Sequence, residues 1–344
     1  MESAIPTHLR TEGTGARRGY ENFKPPYPSF TARYKETVNT VVMAYFGVQF
    51  KADRRSDAQK AIRALNLVLD EGNSPSYRDR ASYIDEAGYE TIVTVAYWRD
   101  PAEFDRWFVK GREAWTGTDH EASGLGHFTE IIRPAVDGFE TLFSSLGRPE
   151  GIGVVADEFS GEIQEHAYWG GMRDRLPRSR SDDLAASGTI TAEREGPRTR
   201  VFANENLCLI RSGQDWLDTT DEERRMYLGD VEPVLREGMD FLRDEGREIG
   251  CYANRYMTVT DADGNPIPKS YGMSWWRGLA DLERWAESHP THVKIFGAAM
   301  KYLSTMGPEA KLRLYHEVTV ARSGEQFFEY LNCHPETGLL RAVS

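Results

Sequence analysis

Three histidines stand close together in the last quarter of the chain, and imidazoles are well suited to bind a metal or to move a proton near neutral pH. His289 and His292 lie in the stretch S-H-P-T-H-V-K-I-F-G, and His316 lies in L-R-L-Y-H-E-V. The first stretch is typical of a helix start, because Ser288 can cap the helix and Pro290 falls in its first turn. The second is typical of a strand. Imidazoles on a helix and on a strand can face one pocket, where one binds a metal cofactor and the other moves a proton.

Small residues follow His292 on the predicted helix. Gly297, Ala298 and Ala299 leave room for a flat macrocycle to lie against this helix. The alternative for both His292 and His316 is a buried histidine whose ring is satisfied by a hydrogen bond and has no chemical role. The residues alone leave the two interpretations open.

Two further polar residues, Ser212 and Arg173, are candidates for a functional site. Ser212 lies in L-I-R-S-G-Q, which lacks the glycine pattern of a hydrolase nucleophile, and the default interpretation is a strand-end serine bonded to backbone. Arg173 opens the basic stretch R-D-R-L-P-R-S-R. A solvated loop is the default for such a stretch, but Arg173 directly follows Y-W-G-G-M and can therefore point inward beside aromatic rings.

Composition narrows the class of protein and its partners. With 344 residues, 40% hydrophobic and 28% charged, the chain is typical of a globular protein. The net charge of −12 argues against a nucleic-acid partner and against an anionic membrane surface. The three cysteines predict no disulfide framework, and no CxxCH motif is present for covalent haem attachment. We find no apolar signal segment and no run of about 18 apolar residues, so we expect a cytoplasmic protein without a membrane partner.

Strands and helices alternate from residue 39 onward. Apolar runs predict strands at 41–50, 89–98 and 127–132, with helices after the first two. This order predicts an α+β fold with helices on one face of a sheet. Residues 1–35, rich in Gly, Pro and Arg, are expected to form an irregular N-terminal arm on a single domain spanning 1–344.

One passage recurs along the chain. Y-W-R-D-P-A-E-F-D-R-W (97–107) aligns without a gap with W-W-R-G-L-A-D-L-E-R-W (275–285); five positions are identical, and Phe104 aligns with Leu282. Each copy is followed by a predicted strand that carries a histidine. We interpret this as an internal duplication of a ferredoxin-like unit, covering roughly 39–148 and 200–335.

At these residues the chain resembles the aldoxime dehydratases, a haem-dependent family that converts aldoximes to nitriles. The resemblance covers nearly the whole chain. Its most specific motifs are H-P-T-H-V-K-I-F-G, L-R-L-Y-H-E-V and F-E-Y-L-N-C-H-P-E-T-G-L-L-R-A-V, supported by M-E-S-A-I-P and Y-W-G-G-M-R-D-R. It implies a β-barrel built from the two ferredoxin-like repeats and flanked by helices, usually in a homodimer.

The resemblance also implies a cofactor and a set of site residues. The cofactor is a non-covalent haem b held by a proximal histidine, which corresponds to His292, with His289 as the alternative. The family's distal histidine corresponds to His316 and its distal serine to Ser212. Its distal arginine is placed at Arg173.

A distal glutamate is also typical of the family, and Glu140 in G-F-E-T-L-F is the candidate for it. The implied reaction removes water from R–CH=N–OH, with the oxime bound through nitrogen to ferrous haem and the distal histidine serving as acid and base. The alternatives are a haem-binding sensor or carrier without turnover, or another haem enzyme such as a peroxidase or a dismutase.

Overall fold

The computed structural model of the chain describes residues 1–11, 18–19 and 23–344. Fourteen strands are found among these residues: β1 (Ala32–Arg33), β2 (Val42–Phe50), β3 (Tyr77–Ile84), β4 (Glu90–Trp98), β5 (Gly126–Ile132), β6 (Phe139–Phe143), β7 (Glu158–Phe159), β8 (Thr191–Glu195), β9 (Arg198–Phe202), β10 (Leu207–Asp215), β11 (Cys251–Thr260), β12 (Pro266–Trp276), β13 (Arg313–Ala321) and β14 (Gln326–Leu331). The strands predicted at 41–50, 89–98 and 127–132 correspond to β2, β4 and β5 and are confirmed.

Seven α-helices accompany the strands in the described part of the chain. They are α1 (Arg55–Leu69), α2 (Pro101–Thr116), α3 (Gly171–Arg175), α4 (Asp221–Met226), α5 (Glu232–Asp244), α6 (Leu279–Ser288) and α7 (Pro290–Met306). A π-helical segment, Tyr227–Val231, joins α4 to α5. No helix among the described residues is long and apolar enough to cross a membrane.

Twelve strands form one antiparallel sheet in the order β6-β13-β10-β12-β11-β3-β4-β2-β5-β14-β9-β8, while β1 pairs separately with β7. The sheet is open, so the closed barrel expected from the resemblance is wrong. The short strand β6 occupies the outer edge of β13, and β14, β9 and β8 extend the sheet beyond β5. The two outermost strands therefore end the sheet instead of pairing with each other.

The two halves of the chain place their strands in the same order. In the first half the sheet runs β3-β4-β2-β5, and in the second it runs β11-β12-β10-β13. In each half the order is therefore second, third, first, fourth along the chain. In each half helices follow the first and the third of these strands.

The sheet bends so that its halves face each other across a shared core. Met43 and Tyr45 of β2 point into this core together with Leu209 and Trp275 from the second half. The rings of Tyr45 and Trp275 meet edge to face at 6.3 Å. Because side chains alternate along a strand, the other face of each half is left for its helices.

The predicted N-terminal arm is only partly covered, because residues 12–17 and 20–22 lie outside the described residues. At the start of the chain, the Glu2 amide donates to the carbonyl of Glu162, and the Ala4 amide donates to the Glu165 carboxylate at 2.8 Å. These bonds fix the first residues of the chain beside the segment that leads into α3.

Candidate active site

A cavity of about 760 Å³ lies between the sheet of the second half and its helices. Its floor is one face of β10, β12, β13 and β6, and its opposite wall is built by α5, α6 and α7. Its volume falls within the range of about 300–1,000 Å³ typical of ligand sites. Both His292 and His316 line it.

Strand register brings the polar floor residues into one row. Ser212 of β10 lies directly opposite His316 of β13 on one side and opposite Gly272 of β12 on the other. His316 in turn lies opposite Leu142 of β6. Residues paired across antiparallel strands project from the same face, so all four meet the cavity.

His316 belongs to a buried charged cluster. Its Nε2 lies 3.0 Å from Oε1 of Glu140 and 2.9 Å from Nη2 of Arg175. Arg175 also donates to both oxygens of Glu140, through Nε at 2.7 Å and Nη2 at 3.0 Å. The three side chains thus form one hydrogen-bonded unit at the edge of the cavity.

The Glu140 carboxylate is ionised within this cluster. Burial alone would raise the pKa of Glu140, but the charge of Arg175 and the contact with His316 outweigh it and hold that pKa below its usual value. A buried carboxylate that accepts bonds from both neighbours is a stable orienting group for a histidine.

The arginine beside His316 is Arg175, and the expectation for Arg173 does not match this geometry. Arg173 forms a two-pronged ion pair with Glu283, with Nη2 to Oε2 at 2.7 Å, and it donates to the Asp183 carbonyl at 2.8 Å. Residues two apart on a helix are about 200° apart around its axis. The five-residue helix α3 therefore turns one arginine to Glu283 and the other to Glu140.

His292, the third residue of α7, projects into the cavity from the side opposite the sheet. Its Nδ1–H donates to the Ala286 carbonyl on α6 at 2.7 Å, which leaves the lone pair on Nε2. Burial lowers the pKa of His292 to about 4, although the Ala286 carbonyl opposes this shift. The rings of Trp285 and Trp169 stand against the imidazole at 4.6 and 5.9 Å.

His289 has a different structural position. It is the N-cap residue of α7, and its Nδ1 lies 2.9 Å from the hydroxyl oxygen of Thr291. Its ring stacks on Phe241 at 4.3 Å. Among the described residues that line the cavity, His292 is present and His289 is not.

These residues fit a haem. A metal-binding histidine usually donates its second ring nitrogen to a carbonyl or carboxylate, which fixes its orientation, and His292 does so through Nδ1. Its Nε2 has no hydrogen-bond partner among the residues that the structure describes. Aromatic and aliphatic side chains around it, including Trp169, Trp285 and Phe296, provide the apolar walls that a porphyrin requires.

Sequence reasoning missed several residues of this site. Arg175 was passed over because G-M-R-D-R offers two arginines and a five-residue helix gives no apolar pattern to orient them. Trp169 gives no signal of its own within the aromatic run. The glycine that follows it is the available signal, since Gly170 has φ of +93°, a conformation that glycine readily adopts in a turn. Met239 on α5 also lines the cavity and carries no sequence signal at all.

Comparison with known proteins gives consistent matches over most of the chain. The model of the haem-containing dehydratase family matches residues 44–339. An aliphatic aldoxime dehydratase from Pseudomonas chlororaphis is 43% identical over 99% of this chain and 98% of its own. A phenylacetaldoxime dehydratase from Bacillus sp. (strain OxB-1) is 33% identical over 93% of each chain.

The solved structures agree with these sequence matches. A crystal structure of an aldoxime dehydratase in complex with butyraldoxime superposes with a TM-score of 0.96 at 42% identity, covering 100% of this chain and 97% of that one. The resemblance inferred from the motifs is confirmed, and the matches favour a dehydratase over a haem carrier, a peroxidase or a dismutase. The chain belongs to the family of haem-containing dehydratases.

Proposed function

We propose that this chain is a haem-dependent lyase that dehydrates aldoximes, R–CH=N–OH, to nitriles and water. The observation that carries the proposal is the composition of one cavity. An imidazole with a free nitrogen enters it from a helix, and the His316–Glu140–Arg175 cluster meets it from the sheet. A carrier has no need of such a polar cluster, whereas breaking an N–O bond requires a positioned acid.

His292 is the residue we assign to hold the iron of haem b, through Nε2. When bound, ferrous haem would supply a site for the oxime nitrogen and the electron density that weakens the N–O bond. The Ala286 carbonyl keeps the proton on Nδ1, so that Nε2 stays available. The neutral, buried state of the ring is also the state that binds a metal.

His316 is assigned the acid and base role. We place a proton on Nε2, where the ionised Glu140 accepts it, and this leaves Nδ1 as the nitrogen that exchanges protons with substrate. The charged ring gives its Nδ1 proton to the departing hydroxyl, and the neutral ring then takes the proton from the oxime carbon. The enzyme returns to its starting state, and the two hydrogens leave in one water molecule.

Ser212 and Arg175 are assigned to orient the oxime. The Ser212 hydroxyl lies in the same cross-strand row as His316, so both can reach one oxygen of a small substrate. Arg175 holds Glu140 with two of its donors and the Glu165 carbonyl with Nη1 at 2.7 Å. These bonds hold Arg175 and Glu140 in place beside His316.

The direct experiment loads the purified protein with haem, reduces it without oxygen and supplies butyraldoxime. We expect butyronitrile in the product mixture and a Soret band in the absorption spectrum. The apoprotein serves as the control and should form no nitrile. A haem-loaded protein that binds butyraldoxime but leaves it unchanged would contradict the proposed activity.

Fold history and assembly are further parts of this proposal. The common strand order of the halves, together with the sequence repeated at 97–107 and 275–285, supports a duplicated ferredoxin-like unit within a single domain spanning 1–344. The family resemblance supports a homodimer, which light scattering of the purified protein would test. Three cysteines without disulfides, Cys208, Cys251 and Cys333, are in keeping with a reducing cytoplasm.

A further inference from the structure

A second cavity, of about 840 Å³, lies on the other side of α5. Polar and charged residues are most of those that line it, and they include Arg236, Asp240 and Arg243 from α5 and Asn254 from β11. Met239 is the one described residue that lines both this cavity and the candidate active site. The Met239 side chain is therefore part of the wall between them.

The Met239 thioether covers a gap in the floor of the active site. Gly272 has no side chain, and a Cβ added there would lie 2.7 Å from Met239 Sδ. The thioether thus occupies the space above Gly272. The Met239 carbonyl accepts a 2.7 Å bond from Asn254, whose Oδ1 accepts from Ser274, so the backbone under this side chain is fixed.

The position of Gly272 gives this contact a consequence for the substrate. In the floor row, His316 and Ser212 are followed by Gly272, about 4.8 Å farther on, which is one strand spacing. On the opposite side of His316 the row is filled by Leu142. A substrate whose oxime group meets His316 and Ser212, and whose carbon chain runs along the row away from Leu142, therefore meets the Met239 thioether where it covers Gly272.

We infer that Met239 closes the substrate pocket at Gly272 and limits the length of the aldoximes that bind. The inference rests on the proposed function and specifies the length of the aldoximes that it accepts. Methionine suits such a position because its unbranched, flexible side chain fills irregular space and can shift by rotation. Met239 contributes to specificity and takes no part in the proton transfers.

The test compares Met239→Ala with wild type, using butyraldoxime and a linear eight-carbon aldoxime. Dissociation constants come from spectral titration of the haem-loaded protein, and KM from nitrile formation. Each additional methylene that becomes buried should tighten binding about fourfold. We expect the Kd of the long aldoxime, divided by that of butyraldoxime, to fall at least tenfold in the variant.

Met226→Ala is the matched control, because Met226 is a partly buried methionine on α4 that is not among the described residues lining either cavity. Its ratio of dissociation constants should stay near that of wild type. A ratio in Met239→Ala equal to the wild-type ratio would overturn the inference. Loss of stoichiometric haem from Met239→Ala would overturn it too, since the residue would then support the macrocycle.

Gly272→Ala tests the same contact in the opposite direction and decides the matter if Met239→Ala fails to fold. The added methyl pushes the thioether into the pocket, so the long aldoxime should lose more affinity than butyraldoxime; equal losses would contradict the inference. In the double variant the methyl refills the vacated space and should restore part of the preference for the short substrate. A wild-type protein that turns over neither aldoxime would instead refute the proposed function.

Discussion

The two halves of the molecule share a strand order, yet side chains fill the space between sheet and helices in the first half, whereas a cavity lies there in the second. In the first half, Phe46, Trp98 and Trp107 fill the space beneath α1 and α2, with Phe46 and Trp107 in contact at 5.3 Å. In the second half, the corresponding space beneath α5, α6 and α7 is the candidate active-site cavity.

Register identifies the residues responsible for the difference. Val42 pairs with Trp98 as Cys208 pairs with Trp276, which aligns β2 with β10. Four residues along these strands, Phe46 in the first half is matched by Ser212 in the second. A large apolar ring on one floor is thus replaced by a small hydroxyl on the other.

The neighbours of this position differ in the same sense. Phe46 is flanked across the sheet by Thr94 and Thr129, whereas Ser212 is flanked by Gly272 and His316. The small side chain of Ser212 leaves volume beside His316, while the Met239 thioether lies over the flanking Gly272. A few residues on one row of the sheet thus distinguish the filled layer of the first half from the cavity that we assign to the cofactor.

The largest expected effect is loss of haem binding to the cavity of the second half. His292→Ala removes the nitrogen assigned to the iron, so we expect no stoichiometric haem binding, measured by Soret absorbance after loading and desalting. His289→Ala should keep the haem, because His289 caps a helix and stacks on Phe241. Full haem content in His292→Ala would move the ligand elsewhere.

The second-largest effect is a difference in turnover between variants of His316 and of Thr129, which occupies the corresponding position in the first half. His316→Ala should retain haem and lose about 100- to 10,000-fold in kcat, the usual contribution of a positioned acid and base. Thr129→Ala should leave kcat unchanged, since its side chain lies in the packed half. Nitrile formation under single-turnover conditions measures both, and near-normal turnover by His316→Ala would remove it from the proton transfer.

The free energy of unfolding should be more sensitive to substitution in the first half than in the second. Phe46→Ala should lower the free energy of unfolding by about 3–5 kcal/mol, because it empties a packed site. Ser212 already borders a cavity, so Ser212→Ala should change the free energy of unfolding by less than about 0.5 kcal/mol. Urea unfolding of the apoproteins gives both values, and comparable losses in the two variants would show that the halves do not differ in packing as described.

The smallest effect concerns pH and His127 on β5. Burial, with a contribution from His120, lowers the pKa of His127 to about 3. The unfolded chain takes up this proton below a pKa of about 6.5, so stability falls as pH drops from there toward 3, by about 2 kcal/mol between pH 7 and pH 5. His127→Asn should lose correspondingly less over that interval, and identical pH dependence in the two proteins would contradict the assignment.

The sequence could predict elements whose apolar runs are continuous. The strands β2, β4 and β5 were located within a residue or two because they are buried on both faces. The strand β3 was missed because its sequence, Y-R-D-R-A-S-Y-I, is half polar and lacks that continuous signal. The open edges of the sheet were unpredictable, since strand pairing depends on contacts between distant segments.

The site was predictable where one residue stood alone in a distinctive motif. Family motifs point to His316 and Ser212, whereas Glu140 is a candidate from the resemblance with no distinctive motif around it. His316 and Ser212 line the cavity, and Glu140 contacts His316. Arg173 was chosen over Arg175 because spacing along a sequence cannot indicate the direction in which a single helical turn points. The strand register that joins Ser212 to His316 is likewise a property of the folded chain.

The junction between α6 and α7 fixes the hydrogen bond of the imidazole that we assign to the iron. His292 comes from one helix, while the carbonyl that receives its Nδ1 proton comes from the other. A tilt of either segment would lengthen that bond and make the imidazole a weaker electron donor. If His292 holds the iron as proposed, the single residue His289 between the two helices would couple the angle between them to the redox potential of that iron.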